Sequence, residues 1–164
     1  MNSIVDNISN PMLVGAMELL KKNKSAENLK VFMDELSHAR LISPVVITPP
    51  PVADENGNIK LTKENKISIS LVPGPDDKKY FMAFTDMDEL GKINAKSPVA
   101  VLPFGVRNYA AIMENMDDKC GGIVINPVSN GPIVNRAMIA AIMSKSAKKS
   151  VNNSAEQDAS HSEE

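Results

Sequence analysis

Apolar residues recur along this chain with two periods, one typical of helices and one of strands. In the first helical segment Leu13, Met17 and Leu20 stand at i, i+4 and i+7. Asn10 is predicted to cap this helix, and Pro11 suits its first position. Ser25 is predicted to cap a second helix with the apolar stripe Leu29, Phe32, Met33 and Leu36. Three further helices are predicted at Met87–Ile93, after Gly105 with the stripe Val106, Tyr109, Ala110 and Met113, and at Arg136–Lys145.

The segment Gly121–Pro127 is predicted to be the central strand of a sheet. Its three β-branched residues Ile123, Val124 and Ile125 lie between turn formers, a pattern typical of a strand that is buried on both faces. We therefore expect helices to cover both faces of this strand. The other predicted strands are Leu41–Thr48, Ile67–Leu71, Tyr80–Phe84, Val99–Leu102 and a short Ile133-Val134.

Prolines and glycines predict where the strands are interrupted. Pro44 favours a sheet edge or a bulge for its strand, and Pro103 should stop another. Pro49-Pro50-Pro51 cannot continue a strand ladder, and Asp54–Lys66, which contains Asn56-Gly57, is predicted to be a polar, turn-rich and flexible excursion. Gly121-Gly122 lacks the spacing and the lysine of a phosphate loop, so it indicates a turn and a close approach of strands.

These elements predict an α+β fold: a mixed β-sheet of about five to six strands with helices packed on it, in a single domain. Residues 1–145 should form the folded body. From Ser146 the chain is rich in Ser, Asn, Lys and Glu with little that is apolar beyond Val151, which predicts a disordered polar tail over residues 146–164.

Charge argues against a nucleic-acid partner. The tail carries two lysines and four acidic residues, which leaves 16 basic and 16 acidic side chains in residues 1–145 out of 18 and 20 in the chain. A neutral body with interspersed signs offers no stripe for phosphates, and aromatic residues are scarce. No apolar run approaches the length of a membrane span, and the N-terminus does not resemble a signal peptide. We expect a cytoplasmic protein.

The methionines leave two interpretations open. Ten methionines are many for 164 residues, and Met33, Met113 and Met138 stand at helical core spacing. They can fill gaps in the interior, or several of them can form an adaptable binding surface if they are exposed together.

Groups capable of catalysis or metal binding are few. Cys120 is the only thiol, which suits a reducing compartment, and a Cys120–His38 pair is the one candidate nucleophile–base arrangement. A small buried side chain is the simpler interpretation of Cys120, since His38 is explained by its place at a helix end. Two histidines and one cysteine exclude a structural zinc site, and we predict no metal and no cofactor.

The carboxylates have structural explanations. Asp86 and Asp88 could act as paired carboxylates, but they stand at a strand-to-helix junction, where a cap and first-turn charges are expected. Thr85 is the other candidate for the cap. Asp117-Asp118 indicates an exposed acidic turn.

The order and spacing of several short motifs resemble the N-terminal domain of the SseB family, a bacterial family named after enhanced serine sensitivity. The likeness extends from about Asn10 to Ile142 and implies an α+β domain without an established catalytic mechanism or cofactor. Relative to longer members, we expect this chain to end after one domain, and its Pro49–Lys66 excursion is longer than usual. The motifs are Asn10-Pro11, Glu27-Asn28-Leu29 before Phe32, Ala39-Arg40-Leu41, Phe84-Thr85-Asp86 before Glu89-Leu90, Leu102-Pro103-Phe104 and Gly122-Ile123-Val124-Ile125-Asn126-Pro127.

Two functional hypotheses follow. The first is a non-enzymatic domain that binds another protein, or itself, through an exposed part of the sheet or through the loop ends Phe84–Asp86 and Asn126–Pro127. The second is a small-molecule or enzymatic site in a polar pocket at the strand ends, in which we expect five side chains to converge: Thr85, Asp86, Arg107, Asn126 and Arg136. An apolar surface patch would favour the first and a concave polar pocket the second. The candidate site residues are Phe84, Thr85, Asp86, Arg107, Asn126, Pro127 and Arg136.

Overall fold

The computed structural model describes residues 4–94 and 100–159, with side chains for residues 4–94 and 100–149. These ranges contain both helices and strands, and the predicted α+β fold is confirmed. The helices are α1 (Pro11–Lys22), α2 (Ala26–His38), α3 (Met87–Gly91), α4 (Val106–Met113) and α5 (Arg136–Ala159). The strands are β1 (Leu41–Thr48), β2 (Lys66–Ile69), β3 (Leu71–Pro73), β4 (Lys79–Ala83), β5 (Ala100–Phe104), β6 (Cys120–Ile125) and β7 (Ile133–Asn135).

The helices begin where the capping signals place them. Pro11 occupies the first turn of α1, and the Ser25 side chain accepts a hydrogen bond from the backbone N–H of Asn28 at 3.1 Å, which caps α2. The Asp86 carboxylate caps α3 by accepting from the Glu89 N–H at 2.9 Å. Of the two candidates for this last cap, Asp86 is therefore the correct one.

The described strands form two sheets, where the sequence analysis expected one sheet of five to six strands. Strands β2, β1 and β5 form a three-stranded antiparallel sheet in that order, and β3, β4, β6 and β7 form a four-stranded mixed sheet. Two backbone hydrogen bonds between Ile42 and Phe84, of 2.8 and 2.9 Å, connect the sheets. The predicted strand Ile67–Leu71 divides at Ser70, so that β2 pairs in one sheet and β3 in the other.

Strand β6 is an inner strand, as predicted, because it pairs with β4 in parallel and with β7 in antiparallel. The expectation that both of its faces are fully covered is wrong. Ile123 and Ile125 are completely buried, whereas Val124 is half-buried. The helices pack on the face of Ile123 and Ile125, while the neighbours of Val124 across the strands, Met82 and Ile133, are themselves partly exposed.

Two prolines have positions that differ from the sequence predictions: Pro44, expected at a sheet edge or a bulge, lies in a middle strand, and Pro103, expected to end a strand, lies inside one. Pro44 belongs to β1, the middle strand of its sheet. Its carbonyl accepts a hydrogen bond from the N–H of Ser70, one position beyond the last β1–β2 pair, Val45–Ile69. The N–H that proline lacks would therefore fall outside that ladder. Pro103 does not stop β5 but pairs with Ile42 within it. Strand β5 is at a sheet edge, where a missing donor is tolerated. Val99, the predicted first residue of this strand, lies outside the described residues.

Gly122 allows the close approach of strands that the sequence indicated. Its φ is +141°, and a Cβ atom there would lie 2.0 Å from the carbonyl oxygen of Val134 on β7. The register with β4 shifts at Lys79 and Tyr80, so the chain forms a bulge at this point. A side chain at position 122 would therefore separate β6 from β7.

The main core lies between the helices and the inner face of the four-stranded sheet. Tyr109 of α4 is completely buried there, and its ring contacts those of Phe81 and Phe104 at centroid distances of 5.7 and 5.5 Å. Its hydroxyl is hydrogen-bonded to the buried hydroxyl of Ser43 on β1. A second, smaller core contains Val5, Ile42 and Phe84 at the junction of the two sheets.

Helix α5 continues beyond its predicted end at Lys145 and reaches Ala159. Its buried residues Ile139 and Ile142 precede this extension. Ser146 is partly buried, and the next three side chains are exposed. None of the side chains that the structure describes after Lys145 belongs to the core. The disorder predicted for residues 146–164 stays a prediction. Over the same ranges, none of the helices combines the length and the apolarity needed to cross a membrane.

Candidate functional site

The candidate site lies where the parallel strands β4 and β6 end. Ala83 and Ile125, their last residues, are paired, so the segments that follow them leave the sheet side by side. Binding sites in sheets often lie beyond the carboxyl ends of parallel strands. The segments that emerge here carry Thr85, Asp86 and Asn126.

Thr85 and Asn126 are bound to each other by a closed set of hydrogen bonds. The Thr85 N–H donates to the Asn126 side-chain oxygen at 3.0 Å, and the Asn126 amide donates to the Thr85 hydroxyl at 3.0 Å. The Thr85 hydroxyl donates in turn to the Asp86 carboxylate at 2.8 Å. Thr85 and Asn126 are both buried, and their polar side-chain atoms are satisfied. This network therefore stabilises the strand ends.

Asn10 connects the network to the first helix. Its side-chain amide donates to the carbonyl of Thr85 at 2.8 Å and to that of Arg40 at 2.7 Å. Asn10 occupies the cap position of α1, but its side chain makes no capping hydrogen bond to the first turn. The predicted side-chain cap is therefore wrong. Because the amide bonds two distant loops, it places the start of α1 beside the strand ends.

A groove of about 740 Å³ opens between α1 and the connection from β6 to β7, and we name it the α1 groove. Asn126 lies in one wall of the groove, so the hydrogen bonds between Thr85 and Asn126 hold that wall in place. Its polar lining includes Glu18, Lys21, Lys24, Glu89 and Ser129. The apolar lining consists of Val14, Met17, Leu20, Leu29, Phe32, Pro132, Ile133 and Met138.

The wall formed by the β6–β7 connection has a fixed shape. Asn126 and Asn130 both adopt left-handed conformations, with φ of 49° and 54°. A Cβ atom at Gly131 would lie 1.8 Å from the carbonyl oxygen of Ile125. The Ser129 hydroxyl donates to Glu89 at 2.7 Å and accepts from Lys92 at 2.9 Å, which attaches this connection to α3.

The other predicted site residues have the following positions. Phe84 is completely buried in the second core, and Pro127 begins a short 3₁₀ turn and is half-buried. Arg107 is exposed on α4 and makes none of the described hydrogen bonds of the Thr85–Asn126 network. Arg136 donates to the carbonyl of Cys120 at 2.7 Å, at the start of β6, whereas Asn126 follows its end. The structure therefore does not bring these arginines together with Thr85 and Asn126.

Arg136 instead holds the loop between α4 and β6. Besides Cys120, its guanidinium donates to the carbonyl of Asp117 at 2.8 Å. The Asp117 carboxylate accepts from the Lys119 N–H at 3.0 Å, which gives the predicted exposed acidic turn a local structural explanation. Asp88 is exposed in the first turn of α3, where the helix dipole favours a carboxylate.

Cys120 and His38 are in different environments. Burial raises the pKa of the Cys120 thiol above its ordinary value of 9.0, which disfavours the nucleophilic thiolate. His38 is exposed at the end of α2, and its ring nitrogen is 2.8 Å from the carbonyl of Asp34. This geometry supports the interpretation of Cys120 as a packed side chain.

Sequence reasoning missed most of the α1 groove. Val14 lies beside the predicted core stripe of α1, and this additional apolar position was the available signal for a second apolar face. In the opposite wall the sequence indicated Asn126 alone, because the position of that wall depends on how Asn10 and Asn126 join distant loops. Only Asn126 among the predicted site residues lines the groove.

Comparison with protein families identifies one match. The family model described as SseB protein N-terminal domain matches residues 13–141. A search of curated proteins and a search of solved structures produced no match.

Proposed function

We propose that this chain, which belongs to the SseB family by its match to the N-terminal domain of that family, is a non-enzymatic bacterial domain that binds another protein in the cytoplasm. The α1 groove is the observation that supports this role. Its lining is mainly apolar, and the charged side chains of Glu18, Lys21, Lys24 and Glu89 also line it. Such a surface suits a peptide segment that inserts apolar side chains.

The lining of the groove suggests the chemistry of the partner. Met17 and Met138 are half-buried side chains of this lining, so they can adapt to an inserted side chain. Both methionines also pack against the main core, as do Met33 and Met113, so the interpretation as gap-filling side chains holds for them as well. Lys21 and Lys24 stand near the carboxyl end of α1. We therefore propose a partner segment with apolar anchors and an acidic flank that meets these lysines.

The proposal can be tested with peptides selected from a random library on the purified chain. We expect the selected peptides to carry two or three apolar residues and a neighbouring carboxylate. Val14→Glu and Ile133→Glu place a charge on opposite walls of the groove and should each weaken binding at least about tenfold. Met12→Glu is the matched control, because Met12 is an exposed apolar residue of the same helix outside the groove lining.

Binding that survives both groove substitutions would contradict the proposal. The alternative function, recognition of a small molecule, is favoured by the polar residues Glu89, Asn126 and Ser129 in one wall. A thermal-shift screen of polar metabolites tests it in parallel. A stabilising metabolite whose effect disappears in Ile133→Glu but persists in Met12→Glu would establish that alternative.

A further inference from the structure

The segment between β1 and β2 forms a protruding hairpin, which we name the arm and define as residues 46–68. Strand pairing at its base is regular, with Val46 opposite Ser68 and Thr48 opposite Lys66. Its outer part closes through a bridge between Ala53 and Ile59 and a hydrogen bond of 2.9 Å from Asp54 N–H to the Asn58 carbonyl. The predicted polar and flexible excursion thus contains an ordered turn.

The arm has internal hydrogen bonds but contributes nothing to either core. The Asn65 amide donates to the Pro49 carbonyl at 2.8 Å, which joins the two limbs. The Asp54 carboxylate accepts from the N–H groups of Asn56 and Asn58 at 2.9 and 2.8 Å, and these bonds hold its pKa below the ordinary value. None of the residues 46–68, all of which the structure describes, belongs to a core cluster.

Large apolar side chains are nevertheless concentrated on the arm. Val52 is 82% exposed, Ile59 63% and Leu61 47%, and Val46 and Ile67 at the base are exposed as well. An isolated two-stranded hairpin is marginally stable in water, and exposed apolar side chains on such an element suit an interaction surface. The arm therefore has the composition of an element that is covered in an assembly.

We propose that the arm of one chain packs antiparallel against the arm of a second copy, so that the protein forms a two-fold symmetric dimer. In a two-fold interface the same surface occurs on both partners and must complement itself. Antiparallel arms satisfy this requirement, because the tip of each arm then lies beside the base of the other. This surface is distinct from the α1 groove.

The charges of the arm fit this arrangement. Asp54, Glu55 and Lys60 are near the tip, and Lys63, Glu64 and Lys66 are near the base, so the tip carries one net negative charge and the base one net positive charge. A fully extended chain from Thr48 to Asp54 would span about 20 Å, at roughly 3.3 Å per residue. Two arms of equal length therefore place Glu55 of each copy near Lys66 of the other. With three acidic and three basic residues the arm has no net charge that would repel a second copy.

Sedimentation velocity from about 1 to about 200 µM protein measures the association, because this range brackets micromolar dissociation constants. We expect the full chain to shift from one-chain to two-chain mass with concentration. A variant in which Asn-Gly replaces residues 49–65 keeps the Thr48–Lys66 pair across a two-residue turn and should remain monomeric. Ile59→Asp should also be monomeric, while the control Met12→Asp, at a comparably exposed apolar position, should dimerise normally.

A charge exchange tests the antiparallel geometry. Glu55→Lys alone and Lys66→Glu alone each create two like-charge pairs per dimer and should weaken association about tenfold. An equimolar mixture of the two variants contains only opposite pairs in the mixed dimer and should associate as well as the unmodified chain. Urea titration of each variant confirms that it is folded.

Three results would overturn the proposal. They are a full chain that stays monomeric at the highest concentration, an arm-shortened variant that still dimerises, and a mixture that associates no better than its components. Because the groove variants Val14→Glu and Ile133→Glu leave the arm intact, failure of the dimer and failure of the proposed partner binding can be distinguished.

Discussion

At the scale of single residues, polar groups in the interior of the molecule decide how its loops and sheets meet. Asn10, Thr85 and Asn126 join α1 to the ends of β4 and β6, and Ser43 joins β1 to Tyr109 of α4. The sequence predicted Asp86 as one of two candidate caps, because a cap depends on neighbours three residues away. It could not predict the pairs Asn10–Thr85 or Ser43–Tyr109, since their partners are separated by 75 and 66 positions.

The Ser43–Tyr109 pair provides a test at this scale. Tyr109→Phe leaves the buried Ser43 hydroxyl without its partner and should lower the free energy of unfolding by about 1 to 3 kcal/mol. Adding Ser43→Ala removes the unpaired group, so the double variant should recover most of this loss. Urea denaturation followed by circular dichroism measures all three variants. If the double variant is as unstable as the sum of the two single variants, the hydroxyls do not interact.

At the scale of elements, local patterns were sufficient for the helices and insufficient for the sheets. The five predicted helices exist because apolar periodicity and capping are local properties. The strand Ile67–Leu71 alternates without interruption, yet its two ends pair in different sheets. The division at Ser70 depends on contacts with Pro44 and Met82, and nothing in the alternation itself records those contacts.

The C-terminal part of α5 provides a test at the element scale. Deletion of residues 146–164 removes no buried apolar side chain among the described residues and leaves the Lys145–Asp34 ion pair intact. We therefore expect the free energy of unfolding to change by less than about 0.5 kcal/mol. Urea titrations of both chains measure it.

The ellipticity at 222 nm provides a second readout of the same deletion. The structure places residues 146–159 in α5, and the sequence of this segment has little that is apolar beyond Val151. A helix of this length that is not stabilised by packing of an apolar face is marginal in water. The loss of signal on truncation therefore reports how much of this segment is helical in solution. A large fall in the urea midpoint would show instead that the segment docks on the body.

At the scale of the whole molecule, the helices cover one face of the four-stranded sheet and leave the opposite face less buried. Phe81, Ile123, Ile125 and Val134 face the helices in the main core. On the opposite face Val124 is only half-buried. The apolar run Ile123–Ile125 predicted an inner strand correctly, but three β-branched residues in a row cannot show which face the helices choose.

Two adjacent aspartates test this asymmetry. Ile125 is completely buried among apolar side chains, so Ile125→Asp places an unpaired carboxylate in the core and should unfold the protein or reduce its stability by more than about 4 kcal/mol. Val124→Asp places the same group where water has partial access, and its cost should be smaller by at least about 2 kcal/mol. Soluble yield and urea midpoints of the two variants measure the difference. Equal and severe losses would mean that the outer face is covered as well, and in a dimeric protein a second copy would then be the first candidate for that cover.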